Sequence, residues 1–456
     1  MNKIIFALKH FPQEFRLDGD GRLTQLALLL GANAAGETRI RNYNQGKETG
    51  QTVLFLQSLG YKIGRDDSEI IIHNSVSPVW PDDISVSFNG DSYTLSLIIG
   101  FLAGKGKRFT LGYDDFINQP FLDDLLGHLR HIGVELKHDR ESRNITYQSD
   151  QLWPIERKLS SGFPHLKNCL LMLGISSGRS VAIRETRPTE DSLENLFINF
   201  GARLTIRESK LEWVEDPHDP RRRIRREAAD YKQEMMLHPS CRLTGGTVDI
   251  PSDSFSAEAM LTLGILKKGN LVLPNIYLGA RLSRFMHYLR SIGVNIKITH
   301  RRGVEGPKRG DLELEYAEIR GKKVAGEIAV GLMRELPLMA VIAAAWPGTT
   351  LIRDIRETSL VQRNPFEEIA ANLGKMGIKC GVLDDGMVIE GKKELNGADF
   401  GPFRIKEIAL AFYLVALSGQ GKSDYREFEI IADHFPALVS LAGAKSMVSV
   451  HSKEDV

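Results

Sequence analysis

The side chains able to do polar chemistry stand in short clusters: Asp20 and Arg22, Arg334 and Glu335, Arg363, Lys406 and Glu407, and Asp433 and His434. If the fold gathers them, the arginines and the lysine would hold an anion, the carboxylates would balance that charge, and His434 would serve as a proton shuttle. Surface ion pairs are the plainer reading of each, because most charged side chains are solvated. Other chemistries lack their patterns. Cys169, Cys241 and Cys380 show neither metal-ligand spacing nor an even disulfide framework, so no metal and no cofactor is expected. No His-Glu-x-x-His or Cys-x-x-Cys occurs. Gly421-Lys422-Ser423 has the end of a phosphate loop, but Ala416 stands where that loop begins with glycine. His165 and His287 read as core or surface histidines.

The elements that must position these clusters recur six times. An amphipathic helix pattern runs into a glycine and then a short apolar strand around Gly60, Gly133, Gly201, Gly293, Gly377 and Gly443. In the fourth copy, Phe285, Leu289 and Ile292 fall on one helix face, and Asn295–Thr299 follows as a strand; Met387–Glu390 is the strand expected in the fifth. Each copy is preceded by an apolar helix, a turn of small residues and a β-rich run, as in LLLGANAAGETRI at 28–40 and LIIGFLAGKGKRFTL at 97–111. The spacing of roughly 66 to 92 residues exceeds solenoid periods and suits small α/β units. The largest interval holds a polar stretch with Arg221, Arg222, Arg223, Arg225 and Arg226. It is expected to be a solvated loop, since no aromatic residues interleave the arginines as nucleic-acid binding would require.

With 456 residues, 42% hydrophobic, the chain can bury large cores. Its 59 basic residues nearly cancel its 58 acidic ones, so no global field points to nucleic acid or an acidic membrane. The opening MNKIIFALKHF is too short in apolar residues for a signal peptide, and no apolar run approaches the ~18 residues that span a bilayer. A cytoplasmic monomer is expected, with neither nucleic acid nor membrane as a partner.

Three units before residue 245 and three after it resemble the enolpyruvyl transferase superfamily, and in particular its 5-enolpyruvylshikimate-3-phosphate synthases. The resemblance rests on Gly19-Asp20 and Thr24 before ALLLGANAAGETRIRN (27–42), Arg187-Pro188, IPSDSFSAEA (250–259), Asn275, Glu335-Leu336-Pro337, GTTLIRD (348–354) and Phe435-Pro436. It implies an α/β fold, described as an inside-out barrel-like arrangement of six βαβαββ repeats. It also implies two domains, residues 19–245 and residues 1–18 with 246–456, facing each other across a ligand cleft. The family reaction transfers a carboxyvinyl group from phosphoenolpyruvate to shikimate 3-phosphate in aromatic amino acid biosynthesis. Cleft residues implied by the resemblance are Asp20, Arg22, Thr24, Arg187, Asp253, Ser256, Glu335, Arg363 and His434.

The family's charged positions carry other residues here. Gly-Asp-Lys-Ser falls on Gly19-Asp20-Gly21-Arg22, so a phosphoenolpyruvate-binding lysine becomes Gly21. Family arginines fall on Leu26, Ser96 and Gln119; Ser-Ser-Gln falls on Phe163-Pro164-His165 when counted back from CLLML, or on the serines of LSSG (159–162) with a slip of register. In Asp-Glu-x-Pro the Asp, the family's proposed base, becomes Arg334; the catalytic Glu of Lys-Glu-x-Asp-Arg becomes Gln362, which cannot exchange a proton at neutral pH. Asp-His-Arg becomes Ile405-Lys406-Glu407, and the lysine before Phe-Pro falls on or beside Asp433. The expectation is a transferase-like chain whose family chemistry is lost or redirected toward another small anionic or phosphorylated ligand. The alternative is a non-catalytic pseudoenzyme that binds such a ligand or a protein. Retention of the family reaction, the third reading, would need a different residue correspondence.

Overall fold

The computed structural model describes residues 2–449 apart from 75–77, 115–116, 118, 148–153, 160–163, 187–192, 210, 217–218, 228–230, 240–241, 304–306, 320–322, 326–328, 330, 356–364 and 443–446. Six helices are apolar almost all round, and a helix without a polar face is stable only when surrounded. They are Gly21–Asn33, Ser92–Gly104, Pro164–Ser177, Ser254–Lys267, Leu336–Ala344 and Lys406–Ser418. The first three pack on one another, as do the last three, so each half of the chain has a helical centre. A second, amphipathic helix follows each, for instance Gln119–Arg130, Ala280–Ser291 and Pro365–Lys375.

Around these helices lie six open sheets of three or four strands; among the described residues no sheet closes into a barrel. A typical sheet places Asp83–Phe88 parallel to Arg108–Tyr113, with Asn144–Tyr147 and Leu136–Asp139 completing it antiparallel. The parallel pair requires a crossover, and the Ser92–Gly104 helix supplies it. The turn glycines explain the repeat. Gly60, Gly133, Gly201, Gly293 and Gly377 all end helices at positive φ, between 70° and 103°, where a side chain would be strained.

Two strands pair with sequence-distant partners. Lys3–Phe6 runs antiparallel to Lys422–Tyr425, and Thr247–Asp249 runs parallel to Gly36–Arg41. The buried apolar residues form two clusters. One combines Ile5, Leu8 and Leu17 with residues from Phe255 onward; the other runs from Leu23 to Leu243 with Ile250 and Tyr277. The arginine run is not a loop. It lies on strand Asp219–Glu227, which pairs antiparallel with Leu211–Asp216, so the two segments satisfy each other's backbone hydrogen bonds. Gly421 ends its turn at φ 81° and leads into a strand rather than the helix a phosphate loop needs.

Candidate functional site

The first turns of the buried helices open on one cavity of about 370 Å³, lined by residues from both halves of the chain. Three of these turns begin with an aspartate. Asp20 accepts a hydrogen bond from the Leu23 amide at 3.0 Å, Asp91 from Thr94 at 2.7 Å and Asp253 from Ser256 at 2.6 Å. An N-terminal turn offers free N–H groups and a positive dipole end, and here each aspartate takes up part of that capacity itself.

The cavity wall holds Asp20, Gly21, Arg22, Asp253, Ser256, Arg334, Lys406, Glu407 and His434 from the sequence-derived set. Thr24 is not among them. Its hydroxyl donates to the Asp20 carbonyl at 2.8 Å and accepts from the Asn44 amide at 3.0 Å, fixing the loop that carries Asn44. Glu335 is buried behind the wall, because it begins the Leu336–Ala344 helix. Asp433 also misses the cavity and lies 3.9 Å from Lys47. Arg187, Gln362 and Arg363 fall outside the described residues. Of the positions where family arginines were expected, Leu26 and Ser96 are fully buried, and Gln119 accepts a hydrogen bond from the Tyr113 hydroxyl.

The charges are tied to one another. Arg334 stacks over the Phe255 ring, with its guanidinium carbon 4.0 Å from the centroid, and its Nε lies 3.4 Å from Glu407 Oε1. Burial opposes the Arg334 charge, but Glu407 and Asp253 outweigh it and hold the guanidinium protonated. Burial would likewise raise the Glu407 carboxyl, yet Lys406 and Arg334 pull it below its ordinary range. A second group crosses the cavity: His434 Nδ1 is 2.8 Å and Lys406 Nζ 3.9 Å from Glu48 Oε1. Burial alone would raise Glu48; the His434 hydrogen bond and the Lys406 charge reverse this and bring it to about 2. Arg22 lies over the Tyr93 ring at 5.3 Å, and Tyr93 in turn packs edge-on against His165.

Behind the wall is a pair of buried acids. Glu258 and Glu335 are each 1% exposed, and neither oxygen of Glu258 has a hydrogen-bond partner among the described residues. Burial, then the Glu335 charge, pushes the Glu258 carboxyl well above its usual range, and Glu335 is raised by burial against the pull of Arg334 and Arg281. No group of three metal-ligating side chains is assembled among the described residues.

Sequence reasoning missed Gln25, Glu48, Asp91 and Arg281, all on the wall. For Asp91 a signal existed: Gly90-Asp91 stands before its helix as Gly19-Asp20 and Ser252-Asp253 do before theirs. Glu48 and Arg281 begin second helices, and no pattern in the chain marks that turn as facing a cavity.

The family model for EPSP synthase (3-phosphoshikimate 1-carboxyvinyltransferase) matches residues 9–226 and 223–440. The chain is 28% identical over 434 residues to the 3-phosphoshikimate 1-carboxyvinyltransferase of Synechocystis sp., covering 94% of this chain and 92% of that one. It is 23% identical to the enzyme of the same name from Alkaliphilus oremlandii, over 97% of this chain and 99% of the relative. Among solved structures, EPSP synthase from Acinetobacter baumannii superposes with a TM-score of 0.78 at 19% identity, over 98% of this chain and 100% of that one. The enolpyruvyl transferase NikO from Streptomyces tendae gives 0.70 at 14% identity, covering 98% of each chain. Both establish the fold. No helix among the described residues is long and apolar enough to cross a membrane. With both halves matched in sequence and the whole chain matched in fold, this protein belongs to the EPSP synthase (3-phosphoshikimate 1-carboxyvinyltransferase) family.

Proposed function

We propose that the chain keeps the family's ligand cleft but has lost or redirected carboxyvinyl transfer from phosphoenolpyruvate to shikimate 3-phosphate. The observation that carries this reading is the Arg334–Glu407 ion pair. The resemblance expects an acid, the proposed base, at the first position and an arginine at the second. Here the two charges are exchanged, which preserves a local pair but leaves a permanent cation where a proton acceptor would act. Losing the base removes a proton-transfer contribution of roughly 10²–10⁴ in rate.

The rest of the wall supports the same reading. Among the described residues, its five carboxylates outnumber its four cations, and two histidines stand with them. Two dianionic substrates would meet more negative than positive charge there. The ligand that fits is a small anion bound by Arg281, Arg334 and Lys406. The test is phosphate release from shikimate 3-phosphate and phosphoenolpyruvate at high protein concentration, with mass detection of the carboxyvinyl product. No product is expected; turnover at the rate of an ordinary family member overturns the reading.

A further inference from the structure

The charges on the cavity wall are sorted by half. Among the described residues, the wall contributed by the first half carries Asp20 and Asp91 against Arg22, with Glu48 already paired to His434 and Lys406 across the cavity, whereas the second half contributes Arg281, Arg334 and Lys406 against Asp253 and Glu407. A ligand with negative charge alone would satisfy one wall and be repelled by the other. A second observation concerns Gln25, which is 2% exposed and lines the cavity. Its Nε2 donates to Thr49 Oγ1 at 3.3 Å, and its Oε1 has no hydrogen-bond partner among the described residues. A buried acceptor left without a donor is costly, so this corner of the wall is complete only when a ligand supplies an N–H or O–H group.

We propose that the cleft takes a small phosphorylated or carboxylated ligand that also bears a protonated amine, the amine seated on the Gln25, Asp20 and Asp91 wall and the anionic group on the Arg281, Arg334 and Lys406 wall. An ammonium offers three donors and carries the charge that the two carboxylates favour. A hydroxyl at the same place would satisfy Gln25 but not the carboxylates. The charge-swapped Arg334–Glu407 pair does not oppose this arrangement, because Glu407 is already neutralised by Arg334 and Lys406. This inference rests on the cleft being a ligand site for something other than the family's two substrates, and it names the class of that ligand.

The experiment is calorimetric titration of the full chain at pH 7 and fixed ionic strength with two matched pairs of probes. O-phosphoserine is compared with 3-phosphoglycerate, and glucosamine 6-phosphate with glucose 6-phosphate; within each pair an ammonium replaces a hydroxyl. The expected result is tighter binding of the ammonium member in at least one pair, by about tenfold, the size of one charge-assisted hydrogen bond. Asp91→Asn, which keeps the helix cap, should cut that preference at least threefold while leaving the hydroxyl member little changed, whereas Gln25→Met should weaken both members of a pair alike. Equal affinities within both pairs, binding of neither member of either pair, a preference that survives Asp91→Asn, or affinities unchanged by Gln25→Met overturns the proposal. Failure here without carboxyvinyl turnover overturns this inference alone, whereas turnover in that assay overturns the reading it rests on, so the two failures are distinguishable.

Discussion

At the scale of single residues, the Arg334–Glu407 pair shows how a charge reversal can be accommodated. Arg334 is packed on Phe255, and Glu407 is its ion-pair partner, so removing one charge strands the other in a desolvated place. Arg334→Leu alone is expected to cost about 1–2 kcal/mol, less than the loss of a fully buried pair because the two side chains are 31% and 18% exposed, measured by urea unfolding. Adding Glu407→Gln should return most of that loss, since the pair as a whole contributes little net stability once its desolvation is counted. If the double variant is as unstable as the sum of the two single ones, the pair is not coupled as described. The resemblance, with its signs reversed at both positions, suggests that the two charges compensate each other, but no local pattern shows that they meet, because 73 residues separate them.

Among elements, the contact between helices Ser92–Gly104 and Pro164–Ser177 is set by two glycines on one face. A Cβ on Gly100 would lie 2.4 Å from the Cys169 carbonyl oxygen, and one on Gly104 would lie 2.5 Å from the Ser176 Cβ. Gly100→Ala should therefore force the helices apart and destabilise the first half by about 1–3 kcal/mol. Gly127, on the outer helix Gln119–Arg130, has nothing within 4 Å of an added Cβ. Gly127→Ala is expected to stabilise by about 0.5–1 kcal/mol, the ordinary gain in helix propensity. Thermal unfolding of both variants against the wild type checks the contrast; equal effects would place the helices less tightly than the structure does. The elements themselves were legible in advance, because a helix buried on all sides and a helix ending in glycine each leave a local pattern. The hairpin holding the arginine run was not, since its polar residues lack the alternation that marks a half-buried strand.

For the whole molecule, the two halves meet through ionisable groups, so stability should depend on pH in two ways. Glu48, held at about 2 by His434 and Lys406 against an ordinary value of 4.5, contributes stability that is present above pH 4.5 and lost as the pH falls toward 2. Glu258 behaves oppositely. Its carboxyl stays protonated in the fold while the unfolded chain ionises, so stability falls as pH rises above the ordinary value of 4.5. The groups around it are Glu335, Arg334, Asp253 and Arg281, of which the two acids add to the effect and the two arginines reduce it. Melting temperature against pH should thus show an acid-side loss that Glu48→Gln flattens and an alkaline-side decline, shared with Glu335, that Glu258→Gln reduces, with Glu258→Gln the more stable at pH 8. Unchanged profiles in both variants would contradict the assigned roles.

What the sequence by itself determined is the sixfold repeat, the buried and amphipathic helices, the glycines that end them and the family whose order of motifs it follows. Each of these is written in periods of a few residues, where side-chain spacing dictates which face is buried. The tertiary structure alone decided which charges meet. Glu48 reaches His434, Arg334 reaches Glu407, and Glu258 is enclosed beside Glu335 because helices from distant parts of the chain pack side by side with their first turns facing one cavity. Coulomb interactions depend on distance and burial in space, and no local spacing in the chain encodes either.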